Sequence, residues 1–178
     1  MNQQRIQAQY GQRGAALIVS LIVLLVLTML GLTAIQNSSL QARMATSMVD
    51  RSIAFEAAEA ALRDAQNWLD AQVVKPVGGT SGRPDVWASG DAIVMAVGKD
   101  AEAWTSADWA GHARSYSKTL SGAVELPRYV IEELQFVPDS LEVGTTTGIW
   151  YYRVTARGLG GTGNAEALLQ ASLRKRFN

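Results

Sequence analysis

The chain has 178 residues, which suits one domain of ordinary size or a smaller domain carrying an extension. Its 16 basic and 16 acidic residues cancel, so no overall field steers it toward nucleic acid or an anionic membrane surface. It has no cysteine and one histidine, His112, which excludes disulfides, thiolate nucleophiles and histidine-rich or cysteine metal centres.

The charges are unevenly placed. After Arg5 and Arg13, no charged residue occurs from Gly14 to Ala42, and the window Ala15 to Ile35 is apolar except for Ser20, Thr28, Gly31 and Thr33. As a helix this window reaches about 31 Å, the hydrocarbon thickness of a bilayer. The hydroxyls are tolerated there because they can return to backbone carbonyls one turn earlier. The sequence therefore predicts a membrane-inserting helix. A secretory signal fits less well: its apolar stretch is about 7 to 15 residues and ends at a small-x-small site, whereas this run is longer and its exit, LTAIQNSSLQARMATS, has no such site. Arg43 and Arg51 beyond the run leave only a mild charge bias for a cytoplasmic N-terminus.

From Arg43 to Asp70 the chain contains no glycine or proline and is rich in alanine, glutamate, leucine and arginine, all good helix formers. Phe55, Ala58, Leu62, Ala65 and Leu69 recur at steps of three and four, with Met48 and Ser52 continuing the line backward. This predicts one apolar stripe packed on a single surface. Glu59 and Arg63 form a favourable i,i+4 pair. Nothing strong separates the two halves, so a single helix from Ala15 to about Leu69, roughly 80 Å long, is expected.

The stretch RGAALIVSLIVLLVLTMLGLTAIQNSSLQARMATSMVDRSIAFEAAEAALRDAQ resembles the N-terminal region of type IV pilin-like proteins, and within them of PilX-type minor pilins. The resemblance covers about the first 70 residues. It implies that residues 1–14 are a leader, cut by a prepilin peptidase between Gly14 and Ala15, and that the new N-terminus at Ala15 is methylated. It divides the rest into a membrane-inserting half (15–37), an amphipathic half (38–70) and a globular head (71–178). Two departures stand out. Most pilins begin the mature chain with phenylalanine, where this one has Ala15. Most carry a glutamate at the fifth mature position, which is Val19 here. That glutamate is thought to meet the N-terminal amine of a neighbouring subunit, and an ammonium among apolar helices does need a paired charge. The tip subunit of type II secretion pseudopili also lacks it, which by analogy implies a place at or near the filament tip.

In the head, VKPVGGTSGRPDVWASGD (74–91) reads as a surface loop. DAIVMAV (91–97) is a short, ambiguous strand candidate. SADWAGHARSYS (106–117) suggests a short helix capped by Ser106. RYVIEELQFV (128–137) and IWYYRVTA (149–156) are rich in β-branched and aromatic residues, as strands are. In NAEALLQASLRKRF, Ala165, Ala167, Leu169, Ala171 and Leu173 alternate with polar positions, which favours a further strand. The expected fold class is α+β and type IV pilin-like: one long N-terminal helix, about residues 15–70, packed on a C-terminal antiparallel sheet.

No catalytic, cofactor or metal site stands out. GLGGTG (158–163) matches G-x-G-x-x-G but lacks the helix and acidic residue that a dinucleotide site needs, so a hairpin loop is expected. His112 and Asp108 are four apart, without a nucleophile elbow beside them. Glu132 and Glu133 are neighbours in a strand and point to opposite faces. Asp85, Asp91, Asp100 and Asp108 lack the spacing of an EF-hand, although a loop-built calcium site stays open. Arg174-Lys175-Arg176 is too short to indicate DNA. The expected protein is a non-enzymatic minor pilin without cofactor, held in the inner membrane with its head in the periplasm and then extruded into a pilus. By resemblance its partners are the prepilin peptidase, other minor pilins, the major pilin and a pilus-associated tip adhesin, in the service of adhesion and twitching motility. A type II secretion pseudopilin, a single-pass anchored periplasmic binding module and an exported enzyme remain as alternatives.

Overall fold

A computed structural model of the chain describes residues 11–141 and 147–177. Most of the expected leader, residues 1–10, lies outside them. The chain divides into two compact units, the first ending at Thr46 and the second starting at Ser47. Helix α1 (Gly11–Ala71) contributes to both. It begins earlier than Ala15, since Gln12 and Arg13 are good helix formers and nothing there breaks the pattern. Beyond Thr46 the elements are α2 (Ala92–Val97), a 3₁₀ turn (Ala101–Ala103), α3 (Ser106–His112), β1 (Arg114–Ser115), β2 (Arg128–Pro138), β3 (Gly148–Leu159) and β4 (Glu166–Arg176).

The four strands form one antiparallel sheet in the order β1-β2-β3-β4. The alternation in the last segment has its expected result. Ala167, Leu169, Ala171, Leu173 and Lys175 lie on one face of β4, half-buried, and their neighbours on the other face are exposed. Helix α1 covers the face of the sheet that carries Tyr129, Ile131, Tyr152, Val154 and Ala156. Ala61, Ala65 and Leu69 of α1 join them in the main core, with Val86. A smaller core of Trp87, Ile93, Trp104 and Trp109 gathers around Val130 of β2. Its Trp104 and Trp109 rings meet edge to face at 5.2 Å, a geometry that aromatic quadrupoles favour.

Two local expectations are corrected. Residues 92–97 form α2, not a strand. A six-residue apolar run carries too little periodicity to choose, and burial of Ala92 and Ile93 against the tryptophans decides it. Helix α3 starts at Ser106, but its cap is Thr105. The backbone N–H of Asp108 donates to the Thr105 hydroxyl and the Asp108 carboxylate accepts from the Thr105 N–H, a reciprocal capping box.

The helix approaches the sheet closely because both surfaces are small. The buried line on α1 is Ala54, Ala57, Ala58, Ala61, Ala65 and Leu69. Opposite its first turns lies Gly158 of β3, where an added Cβ would stand 2.9 Å from the Ala57 Cβ and overlap the α1 backbone. Here glycine serves closeness, not conformational freedom. Gly158→Ala is therefore expected to cost about 1–3 kcal/mol in chemical denaturation, by overpacking. Gly111→Ala, inside α3 with open space around it, is expected to be neutral or to stabilise by up to about 1 kcal/mol.

Candidate functional site

The apolar part of α1 is the first element of the site. From Ala15 to Ile35 every residue is exposed within the chain, including Leu17, Ile18, Leu21, Leu24, Leu27 and Leu30. A fully apolar helix that buries nothing in its own chain needs lipid or other helices around it. The few hydroxyls are closed internally: Ser20 donates to the Leu17 carbonyl (2.9 Å), Thr28 to that of Leu25 (2.8 Å) and Thr33 to that of Met29 (2.9 Å). The segment thus presents no free polar side chain to an apolar medium. Gly14 and Ala15 lie in the helix and are exposed, with open space around Gly14. Val19 is exposed on the same apolar surface. The helix is long and apolar enough to cross a membrane and fits a single-pass anchor.

The second element is the seam between α1 and the sheet. Ala58, Ala65 and Leu69 are buried in it, and Leu62 is half-buried at its margin. Phe55 is not in the seam: it points outward and is 51% exposed, and Met48 and Ser52 are exposed with it. The reason is the glycine contact. Where Gly158 presses the backbone around Ala54 and Ala58, no ring can enter, so the buried line passes through Ala54 and Ala57. Phe55 and Met48 instead leave an outer apolar surface on the same helix.

The seam ends in a polar clamp that sequence reading missed. Asp50, on the buried line of α1, accepts hydrogen bonds from the Thr162 backbone N–H (2.9 Å) and the Thr162 hydroxyl (2.6 Å). Gly160 lies against the same carboxylate, where an added Cβ would clash at 2.5 Å from Asp50 Oδ1. GLGGTG thus spans the end of β3 and the hairpin to β4, and its Gly158, Gly160 and Thr162 receive the helix. The one available signal was an acid seven positions before Ala57, on a line otherwise made of alanine. The bonds from Thr162 hold the Asp50 carboxyl below the usual carboxylate range.

The other candidates are structural. His112 Nδ1 lies 2.8 Å from the Gly82 carbonyl, and its ring packs on Trp87 and Trp104. Asp108 caps α3 and pairs with Lys99 (2.7 Å). Glu132 pairs with Arg153 (2.9 Å) and Glu133 with Lys75 (2.8 Å). Among the described residues no group of His, Cys, Asp and Glu is placed to hold a metal ion, and Asp85, Asp91, Asp100 and Asp108 do not assemble. In Arg174-Lys175-Arg176, Lys175 donates to the Leu69 and Asp70 carbonyls at the end of α1 (2.6 Å each), and Arg176 pairs with Asp139. A buried arginine not anticipated from the sequence, Arg157, bonds Glu166 (2.8 Å) and the Ser106 hydroxyl (2.9 Å), tying β3 to β4 and α3.

An apolar N-terminal helix whose later part docks on a C-terminal antiparallel sheet defines a type IV pilin-like protein. A family model of the PilX N-terminal region matches residues 13–63, and one described as type IV pilus assembly protein PilX, C-terminal part, matches residues 50–175. The chain belongs to this family and is a PilX-type minor pilin, a structural component that works with other parts of the type IV pilus. Among curated proteins and among solved structures nothing matches it.

The clamp gives a pH prediction. A group with a depressed folded pKa contributes stability above its unfolded value, lost as pH falls through the folded value. The Asp50 contribution should therefore be full at neutral pH and decline only below about 3.8, the ordinary carboxylate value. Asp50→Asn should lower stability at pH 7 and flatten the acid limb of a stability-against-pH curve. An unchanged limb would show that the carboxylate is not held as described.

Proposed function

We propose that this minor pilin primes pilus assembly and sits in the tip complex, and that its action is mechanical, without catalysis. Residues 1–14 are a leader removed by a prepilin peptidase between Gly14 and Ala15, and Ala15 is then methylated. Residues 15–37 hold the protein in the inner membrane, residues 38–70 connect to and support the head, and residues 71–178 face the periplasm. During extrusion the exposed apolar surface of α1 exchanges lipid contacts for contacts with the helices of other minor pilins and the major pilin. Both media are apolar, so the exchange needs no large desolvation, and close packing decides it. A tip adhesin is the further partner this reading includes, and adhesion and twitching motility are its outcomes.

The observation that carries the tip assignment is Val19. It lies on a wholly apolar exposed helix, so this subunit offers no acid to an incoming neighbour's ammonium, which would stay unpaired. A subunit that cannot neutralise the next amine suits a position that is filled once. Val19→Glu tests this. The variant is expected to enter the shaft and appear along sheared filaments at several-fold higher abundance than the wild type. Unchanged abundance and placement would contradict the tip position.

A further inference from the structure

The seam between α1 and the sheet is built in two parts of unequal strength. The part nearer Leu69 belongs to the main core, where Ala61, Ala65 and Leu69 pack on Tyr129, Ile131, Tyr152 and Val154. The part nearer Asp50 does not. Ala54, Ala57 and Ala58 are fully buried, yet they belong to neither core. They meet the end of the β3–β4 hairpin at Gly158, where an added Cβ would stand against all three. An alanine methyl facing a glycine removes little apolar surface from water, and apolar area sets the strength of such a joint.

This second part is therefore held chiefly by the Asp50 carboxylate, through the Thr162 N–H (2.9 Å) and the Thr162 hydroxyl (2.6 Å). Half-buried Ile53, beside Gly122 and Gly161, adds one modest apolar contact. The two sides of the joint also differ in stiffness. From Arg43 to Asp70 the helix has no glycine or proline, whereas the hairpin has four glycines between 158 and 163. The loop before it holds its tip by one backbone bond, from the Val124 N–H to the Gly160 carbonyl (3.1 Å).

We infer that the end of the hairpin, residues 158–167, is a strap latched onto α1 by Asp50, which opens and recloses while the main core stays folded. Segments with few buried apolar contacts open at a lower free energy than the whole domain. Opening parts Gly158 from the three alanines and breaks both Thr162 bonds. The sheet from Ala156 and its partner Leu169 onward stays paired. In the assembly proposed above, such a strap loosens α1 from the head without unfolding it. That use rests on the assembly reading, whereas the strap itself does not.

The chain has no cysteine, so a single introduced thiol reports opening without background. In the full chain in non-ionic detergent, Ala54→Cys probes the strap and Ala65→Cys the core, both at fully buried positions. Where reclosing outruns labelling, the labelling rate follows the open population, and its urea dependence follows the surface exposed. Ala54→Cys is expected to label about ten-fold faster than Ala65→Cys, or more, with a shallower urea dependence. Asp50→Asn should speed Ala54→Cys labelling about ten-fold, as loss of a charged hydrogen bond does. Ile131→Val weakens the core alone, so it should speed Ala65→Cys labelling several-fold and leave Ala54→Cys unchanged. Amide exchange at Thr162, whose N–H is held by Asp50, reads the same opening without an introduced thiol. Asp50→Asn should speed it and Ile131→Val should not. Equal urea dependence at the two thiols would overturn the inference. So would Ile131→Val speeding Thr162 exchange or Ala54→Cys labelling as much as Ala65→Cys, since seam and core would then open as one. Thr162 exchange unmoved by Asp50→Asn would overturn it too, because the carboxylate would not be the latch.

Discussion

The structure depends on one contact of small residues. Alanines on α1 meet Gly158 of the sheet, Asp50 lies against Gly160 of the hairpin, and the helix comes close enough for Asp50 to reach Thr162, which is 112 positions away in sequence. The main core forms around this contact. Tyr129, Ile131, Tyr152 and Val154 supply the bulk, while the alanines set the distance. Larger residues on either side would lift the helix off the sheet and break the carboxylate's bonds. The arrangement ties the later part of α1 to the sheet from Asp50 to Leu69.

The same contact explains what the helix leaves outside. Because the seam beside Gly158 admits only small side chains, Phe55 faces outward, and the apolar residues from Ala15 to Ile35 bury nothing within the chain. An isolated molecule would not tolerate such a surface in water. In a membrane, or among the helices of other pilus components, it is ordinary. The fold is therefore complete as a head and incomplete as an assembly, in keeping with membership of a pilus family.

Much of this was legible in the sequence. The uncharged run from Gly14 to Ala42 and the glycine-free stretch after it predict α1, and the β-branched and aromatic segments predict β2 and β3. Alternation predicts β4. What was not legible follows from range. Nothing near Asp50 shows that its partner is Thr162, and nothing near Phe55 shows that a glycine in β3 excludes it. The run 91–97 was too short for its period to separate helix from strand, and tertiary packing on Trp104 and Trp109 decided it. The glycines of 158–163 read as a hairpin loop, but their contact with α1 was not legible, because their partner on the helix is distant in sequence.

The central claim is that α1 is a pilin helix, serving first in the membrane and then in the filament. The most direct measurement is the N-terminal mass of the chain taken separately from membranes and from sheared surface filaments. The account predicts a chain starting at methylated Ala15 in the filament fraction. A filament-free chain that still carries residues 1–14 would contradict it, leaving a membrane anchor and no pilin.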